Sequence, residues 1–401
     1  MVDAFATAPR NHMKIGVIGT GVAGSLFVDA ARDIRGVAVQ AFDRIPPNDR
    51  DNAGTGLNIG PNALKALRLQ GGPCLDALRG ASLPWRRWLI ALTDGTPLID
   101  LDLLDVAEEP GLRIKWAHLY RVLRATSAPS TIYGRSLEAL EQDSVGRLVP
   151  VFREASGSLV REGAFDFLVA ADGRYSRLRE LVDGVPRSDY PGIGTWRLLV
   201  RGATESPIDD YGQHFCGNAR LLSFRLPDDC VYIAGSFPLA GTGSVPDYMK
   251  TPRAQRRFFQ PADGAVSPQV EWMLRMADRY IDDMNWARTQ EIETLHQALG
   301  GRVLLLGDAA HAMFQTLGQG ATQAIEDALA AALVLRNQPS SPQAVCAGYE
   351  ARRSDRIEFA RRLTREATDT LLPGGDPVSG SLAKAQEPFL SELRKLYSDV
   401  A

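Results

Sequence analysis

The sequence predicts an α/β protein: a Rossmann-like domain with an inserted antiparallel β-sheet domain and C-terminal helices. Three observations carry this. Residues 14–18, 165–171 and 302–306 are short apolar runs of the kind that form strands buried on both faces of a parallel sheet. The first leads into a glycine turn, a helical spacing of apolar residues (Ala23, Leu26, Phe27, Ala30) and a β-rich run at 37–42, together a βαβ unit. Between the apolar runs lie stretches dense in short strands and turn residues.

Residues 1–11 hold one Arg and no long apolar stretch, so they read as a frayed leader and not as a secretion signal. A polar loop at 43–52 follows the βαβ unit, and 63–69 is helical. Segments 88–92 and 97–101 flank Thr93-Asp94-Gly95-Thr96, a hairpin signal. Residues 118–126 read as a helix. From 190 to 237 short strands recur, at 198–201, 220–226 and 230–236. Residues 252–284 are mostly helical, 320–336 has helical spacing, and 344–370 is a long helix. The arginines at 352–366 are most simply a solvated face. One discontinuous domain is expected at 13–80, 118–185 and 291–335, a β-sheet domain at 81–117 and 186–290, and a helical segment at 336–401. A length of 401 residues suits two or three domains of ~150 residues.

Composition excludes several classes. With 45 Lys+Arg against 48 Asp+Glu, nothing suggests neutralisation of nucleic-acid phosphates. Apolar runs such as 328–335 fall far short of the ~18 residues of a membrane span. The four cysteines are scattered, with no CxxC pair, so neither a disulfide scaffold nor a zinc site is expected and a cytoplasmic location is.

Gly19-Thr20-Gly21-Val22-Ala23-Gly24 is a GxGxxG between strand and helix. The first glycine permits the tight turn, the second lets backbone approach a pyrophosphate, and the third lets the helix pack on the sheet. Asp43 lies 19 residues beyond Gly24, close to the ~20 expected for an acid on a ribose hydroxyl. Gly241-Thr242-Gly243 has Pro246 in place of the third glycine and reads as a loop, leaving one dinucleotide site. Two further strand ends stand out. Asp172-Gly173 continues through Ser176 to Arg179, and Gly307-Asp308-Ala309-Ala310-His311 is followed by Gly318-Gln319-Gly320 at a helix start. Such a glycine pair sets bare N–H groups and the positive end of the helix dipole against a ligand.

In that order the three motifs, GxGxxG, DGxxSxxR and GDAAHxxxxxxGxG, resemble the FAD-dependent aromatic hydroxylases, single-component flavoprotein monooxygenases related to 4-hydroxybenzoate hydroxylase. Residues 54–62 resemble the matching loop of the hydroxynicotinate and salicylate hydroxylases. The resemblance implies that the Rossmann-like domain is an FAD-binding domain. It places Gly19, Gly21 and Gly24 on the pyrophosphate, Asp43 on the adenosine ribose and Asp308 on a ribityl hydroxyl. Gly318, Gly320 and Ala321 would face the flavin N1–C2 edge, and Arg44, Leu137 and Gly307 also belong to the cofactor site. Asp172 and Arg179 match the motif linked to both FAD and NAD(P)H. Arg121 sits where an FAD-contacting Arg is often found, or is an exposed helix charge.

The implied activity is hydroxylation of a small aromatic or pyridine carboxylate by way of a flavin C4a-hydroperoxide. It uses NADH or NADPH and O2, and decarboxylation is compatible with it. A flavin oxidoreductase without oxygen insertion is the alternative. No metal, nucleic-acid or membrane partner is implied, and the assembly would be a monomer or homodimer. The chain departs from the family at Gln315, usually Pro, and at Thr322, usually Asn. Gln315 would lie beside the reacting edge of the flavin, shaping the pocket or donating to a substrate oxygen. His311 is either a catalytic base or a histidine packed near the ring. His214 lies in the β-rich insertion, where substrate-facing residues belong. Asn58 stands at the position of a histidine proposed to act on substrate in the hydroxynicotinate enzymes. Trp196-Arg197 resembles the pair that begins the substrate sheet, with Arg197 either structural or carboxylate-binding.

Overall fold

The computed structural model describes residues 12–46, 54–261, 264–337 and 341–400. The expected leader at 1–11 and much of the expected loop at 43–52 lie outside them. Apolar runs with no polar face can only be buried on both sides, and they form the parallel sheet. Its strands run in the order Gln297–Ala298, Val303–Leu305, Phe167–Ala170, Met13–Ile18, Val37–Asp43 and Thr131–Tyr133. Every pairing is parallel except that of the edge strand Gln297–Ala298.

On one face the Val22–Ala31 helix packs against Trp116–Ser127 and Gln319–Asn337, burying Phe27, Leu119, Ile325 and Ala328. On the other lies an antiparallel meander, Ser136–Gln142, Leu148–Arg153 and Leu159–Arg161, which sequence reading did not anticipate. Its first strand is rich in Leu, Ala and Glu, which favour helix. Burial of Leu137, Leu148 and Phe152 against Phe42 overrides that preference.

The two β-rich stretches join one seven-stranded sheet, ordered Asn285–Arg288, Ile193–Val200, Cys230–Pro238, Ala219–Leu226, Tyr211–Cys216, Arg87–Leu92 and Pro97–Asp102. Only the Tyr211–Cys216 and Arg87–Leu92 pair is parallel. Strand alternation sorts the side chains onto two faces. Trp196, Leu198, Leu221, Val231 and Ile233 pack under the helices Pro252–Phe259 and Pro268–Arg279, into which the expected 252–284 helical region resolves. Trp88, Tyr211, Phe224, Tyr232 and Ala234 face the opposite side.

The long helix is Pro342–Thr368, followed by Pro377–Lys384 and Phe389–Ser398. All four cysteines are free. Among the described residues no helix is long and apolar enough to cross a membrane, and no group of three or more His, Cys, Asp or Glu side chains is arranged to hold a metal.

Candidate active site

Register brings the motifs together. Ile18 pairs with Ala170, and Ala170 pairs with Leu305. The turns at Gly19, Asp172 and Gly307 therefore leave the same carboxyl edge of the sheet, where open α/β proteins bind ligands. Gly19 has φ +93°, and a Cβ on Gly24 would stand 1.9 Å from the Gly19 carbonyl oxygen, so turn and helix meet only as glycines. No side chain caps the Val22–Ala31 helix, and its first turn holds no acid. An uncapped helix start fits an anionic pyrophosphate.

Gly307, at φ +58°, opens the short Asp308–His311 helix. The half-buried Asp308 lines a cavity of about 240 Å³ together with Asn58, Gly318, Gly320 and Ala321. Its carboxylate meets no protein donor among the described residues. A Cβ on Gly320 would lie 3.7 Å from Asp308 Oδ1, and Asn58 Oδ1 is buried without a partner among the described residues. An acceptor beside a bare helix start and an orphaned amide oxygen fit a hydroxyl-rich, anionic cofactor such as FAD. Thr322 Oγ1 accepts from the Gly60 N–H at 2.9 Å and donates to the Gly318 carbonyl at 3.0 Å. At the family's Asn position, it thus ties two walls of the cavity together.

Other residues expected at the cofactor are turned elsewhere. Arg179 is 1% exposed and donates to the carbonyls of Ala309 and Ala310, both at 3.1 Å, and of Glu293 at 3.0 Å. Through Nη1 Arg179 holds the Asp308–His311 turn, and it is absent from the cavity lining, while its Nε has no partner among the described residues. Asp172 accepts from the Ser176 hydroxyl and the Leu178 N–H. Burial raises its carboxyl above the usual range, against the pull of those bonds. Asp43 Oδ2 accepts from Thr20 N and Oγ1 at 2.9 and 2.8 Å and from Arg124 Nη2 at 2.7 Å, turning the acid into the glycine turn. The helix arginine that grips the motif is Arg124, which also donates to the Thr20 carbonyl. Arg121, one turn earlier, is exposed, as is Arg44, and Leu137 is a core residue outside the cavity wall.

His311 is 1% exposed, with Nε2 2.7 Å from Asp327 Oδ2. That oxygen also accepts from the Gly307 N–H at 2.9 Å, while Oδ1 accepts from Arg353 Nε at 2.9 Å. Glu326 accepts from Arg353 Nη1 at 2.6 Å and from Arg356 Nη2 at 3.1 Å. Two carboxylates and two guanidiniums thus balance. Burial alone would raise both acids, but His311 and Arg353 hold Asp327 below the carboxylate range, and Arg353 and Arg356 do the same for Glu326. Two expectations are corrected here. His311 does not line the cavity and instead braces the Gly307 turn through Asp327. The arginine-rich helix is a solvated face only in part: Arg352, Arg362 and Arg365 are exposed, but Arg353, Arg356 and Arg361 are buried on ion pairs.

The cavity is also walled by Trp88, Phe224 and Tyr232 of the seven-stranded sheet, by Trp85 of a short strand paired with Gly111–Lys115, and by Tyr397 of the last helix. Phe224 and Tyr232 stack with centroids 4.6 Å apart. Gln315 lies on this wall and accepts from Arg197 Nη2 at 2.8 Å, an anchor that a proline there would not supply. Arg220 also lines the cavity, and sequence reading missed it. Its only signal was strand alternation, which puts Arg220, Leu222 and Phe224 on one face without saying what that face meets.

His214 is corrected. Strand alternation turns it away from Gln213 and Arg220, into a second cavity lined by Leu89, Ala91, Ser223 and Ser267. Its Nδ1 has no partner there among the described residues, and burial pushes the imidazole down to about 4. An unfolded histidine titrates near ~6.5, so between that pH and ~4 the unfolded chain binds the extra proton and stability falls as the pH drops. His214→Gln removes this term. Urea titrations at about pH 7 and about pH 4.5 should show the variant losing about 2–3 kcal/mol less stability than the parent on acidification. Equal losses would mean that His214 is protonated while folded.

Comparison with known proteins agrees with this geometry. Residues 276–367 match the FAD binding domain family. The chain is 28% identical over 392 residues to the FAD-dependent urate hydroxylase of Klebsiella pneumoniae, covering 96% of this chain and 95% of that one. It is 28% identical over 383 residues to the 3-amino-4-hydroxybenzoate 2-monooxygenase of Streptomyces cremeus, covering 90% and 89%. The fold matches the crystal structure of Klebsiella pneumoniae HpxO complexed with FAD and uric acid with a TM-score of 0.76 at 24% identity, over 96% of this chain and 94% of that one. With three motifs converging on one sheet edge and relatives matched along almost their whole length, the chain is similar to the FAD-dependent aromatic hydroxylases, a family of flavoprotein monooxygenases.

Proposed function

We propose that the protein, holding FAD, uses NADH or NADPH and O2 to hydroxylate a small aromatic or pyridine carboxylate. One observation carries this reading: a single cavity joins the Asp308 carboxylate and the Gly318–Gly320 helix start to an aromatic wall. FAD, when bound, supplies the hydride acceptance and oxygen activation that side chains lack. The glycines at 19, 21 and 24 would take the pyrophosphate, Asp308 a ribityl hydroxyl, and the N–H groups at 318–321 the electron-rich edge of the flavin. Trp85, Trp88, Phe224 and Tyr232 would hold the substrate ring flat and keep water away from it. The relatives named above for urate and 3-amino-4-hydroxybenzoate act on ring compounds of this size. In this reading 13–80, 118–185 and 291–335 form the cofactor domain, 81–117 and 186–290 the substrate domain, and 336–401 the helical segment that closes the cavity.

The test is stoichiometry. A panel of hydroxybenzoates and hydroxypyridine carboxylates is scored for NAD(P)H oxidation under 18O2. One NAD(P)H and one O2 should be consumed per product, with one labelled oxygen in the product. Substrate oxidation without label would replace this reading with the dehydrogenase alternative.

A further inference from the structure

The seven-stranded sheet carries the second cavity on its other face, between the strands Arg87–Leu92 and Tyr211–Cys216 and the start of the helix Pro268–Arg279. At about 350 Å³ it is larger than the cavity beside Asp308, at about 240 Å³, and among the described residues the two share only Tyr211. Leu89, Ala91 and Ile208 give it an apolar lining, in which His214 stands. His214 is 5% exposed, and neither ring nitrogen has a hydrogen-bond partner among the described residues. A buried polar atom without a partner costs free energy, and folded proteins usually meet such atoms with protein, water or ligand. Burial keeps the imidazole neutral near pH 7, so one nitrogen donates and the other accepts. Ser267 also lines the cavity, and its Oγ accepts from the Val270 N–H at 3.3 Å, which leaves the hydroxyl proton to donate. The rim is acidic: Asp100, Asp209 and Asp210 stand against the guanidinium of Arg87. Arg87 grips Asp100 with two bonds, at 2.6 and 2.7 Å, and Arg113 holds Asp210 at 3.3 Å. Asp209 is exposed and has no ion pair among the described residues. Such a rim attracts a cation and repels an anion.

We infer that this cavity is a second small-molecule site, separate from the cofactor cavity, and that it takes a hydroxylated amine, an ammonium on an apolar body that ends in a hydroxyl. The hydroxyl meets His214, whose neutral ring can donate to it or accept from it. The apolar body covers Leu89 and Ala91, and the ammonium lies at Asp209. An anion finds no free cation there, because Asp100 already occupies the fork of Arg87. Strand alternation keeps the two sites apart: Gln213 turns to Arg220 on one face of the sheet, and His214 into this cavity on the other. None of these contacts involves the cofactor motifs, so the site stands apart from the reaction proposed above.

The experiment is equilibrium dialysis of the FAD-loaded protein against tyramine, phenethylamine and 4-hydroxyphenylacetate, each up to about 1 mM, the range of a weak small-molecule site. Tyramine should bind. Phenethylamine, which lacks only the hydroxyl, should bind about fivefold more weakly, the worth of one neutral hydrogen bond. The anion 4-hydroxyphenylacetate should not displace tyramine. In His214→Leu the preference for tyramine over phenethylamine should fall to within about twofold. Asp209→Asn, a change on the exposed rim, should weaken both amines about two- to fivefold, as for an exposed ion pair. No bound tyramine, a hydroxyl preference that survives His214→Leu, displacement of tyramine by 4-hydroxyphenylacetate, or unchanged binding in Asp209→Asn would each overturn the inference. If His214→Leu does not fold, the parent ratio and Asp209→Asn decide. Failure of the oxygenase reading looks different: these ratios hold while no 18O enters product.

Discussion

Asp308→Ala is expected to leave the purified protein nearly free of flavin while its fold is unchanged. The carboxylate is half-buried on the cavity wall and receives no hydrogen bond from the described residues, so its removal deletes an acceptor for a ligand and no contact that these residues use. A hydrogen bond to a charged acceptor is worth about 1.5–3 kcal/mol, so FAD should bind roughly 10- to 100-fold more weakly. The apoprotein, by contrast, should stay within about 0.5 kcal/mol of its parent, as substitutions outside the core usually do. Flavin absorbance per protein after desalting, together with thermal melts of both apoproteins, separates the two effects. Full flavin occupancy in the variant would remove the ribityl role of Asp308, and a large fall in apoprotein stability would recast Asp308 as a structural residue.

Arg353→Met should be the most destabilising of the changes considered. It leaves Glu326 and Asp327 buried with Arg356 as the remaining cation of the cluster, and removing one partner of a buried pair costs about 3–5 kcal/mol. The damage should spread to cofactor retention, because Asp327 also holds the Gly307 N–H and His311. Arg353→Lys keeps the charge but loses the fork that reaches Glu326, Asp327 and Gln323 together, so it should fall between the two. Guanidinium unfolding of all three proteins, each with and without FAD, checks the order. A methionine variant within about 1 kcal/mol of the parent would show that the acids take up protons instead of requiring the arginine.

Much of the architecture was legible because it depends on local patterns. Three apolar runs gave the parallel strands, and the glycines at 19, 21 and 24 are dictated by contacts within one turn. The parts that sequence could not register are those where side-chain direction matters. His311, Arg179 and Asp43 carry motif identities, yet each points into the protein, toward partners supplied by segments 16 to 130 residues away. Arg353 and Arg356 look like ordinary helix charges until Glu326 and Asp327 are placed beneath them. Arg220 and His214 sit on adjacent strands and face opposite cavities, a difference of one residue in strand phase that sequence alone left unregistered.

The order of strands in the parallel sheet bears on how the protein matures. Met13–Ile18 is made before the strand on one of its sides, Phe167–Ala170, whose own outer neighbour is Val303–Leu305. Pairings across such distances are slow to nucleate, because long loops must close before any contact rewards them. Until Val303–Leu305 has emerged, a sticky apolar ribbon waits half-covered, the kind of surface that invites aggregation and recruits chaperones. Overproduction in cells should therefore be limited by biogenesis more than by the durability of the finished molecule.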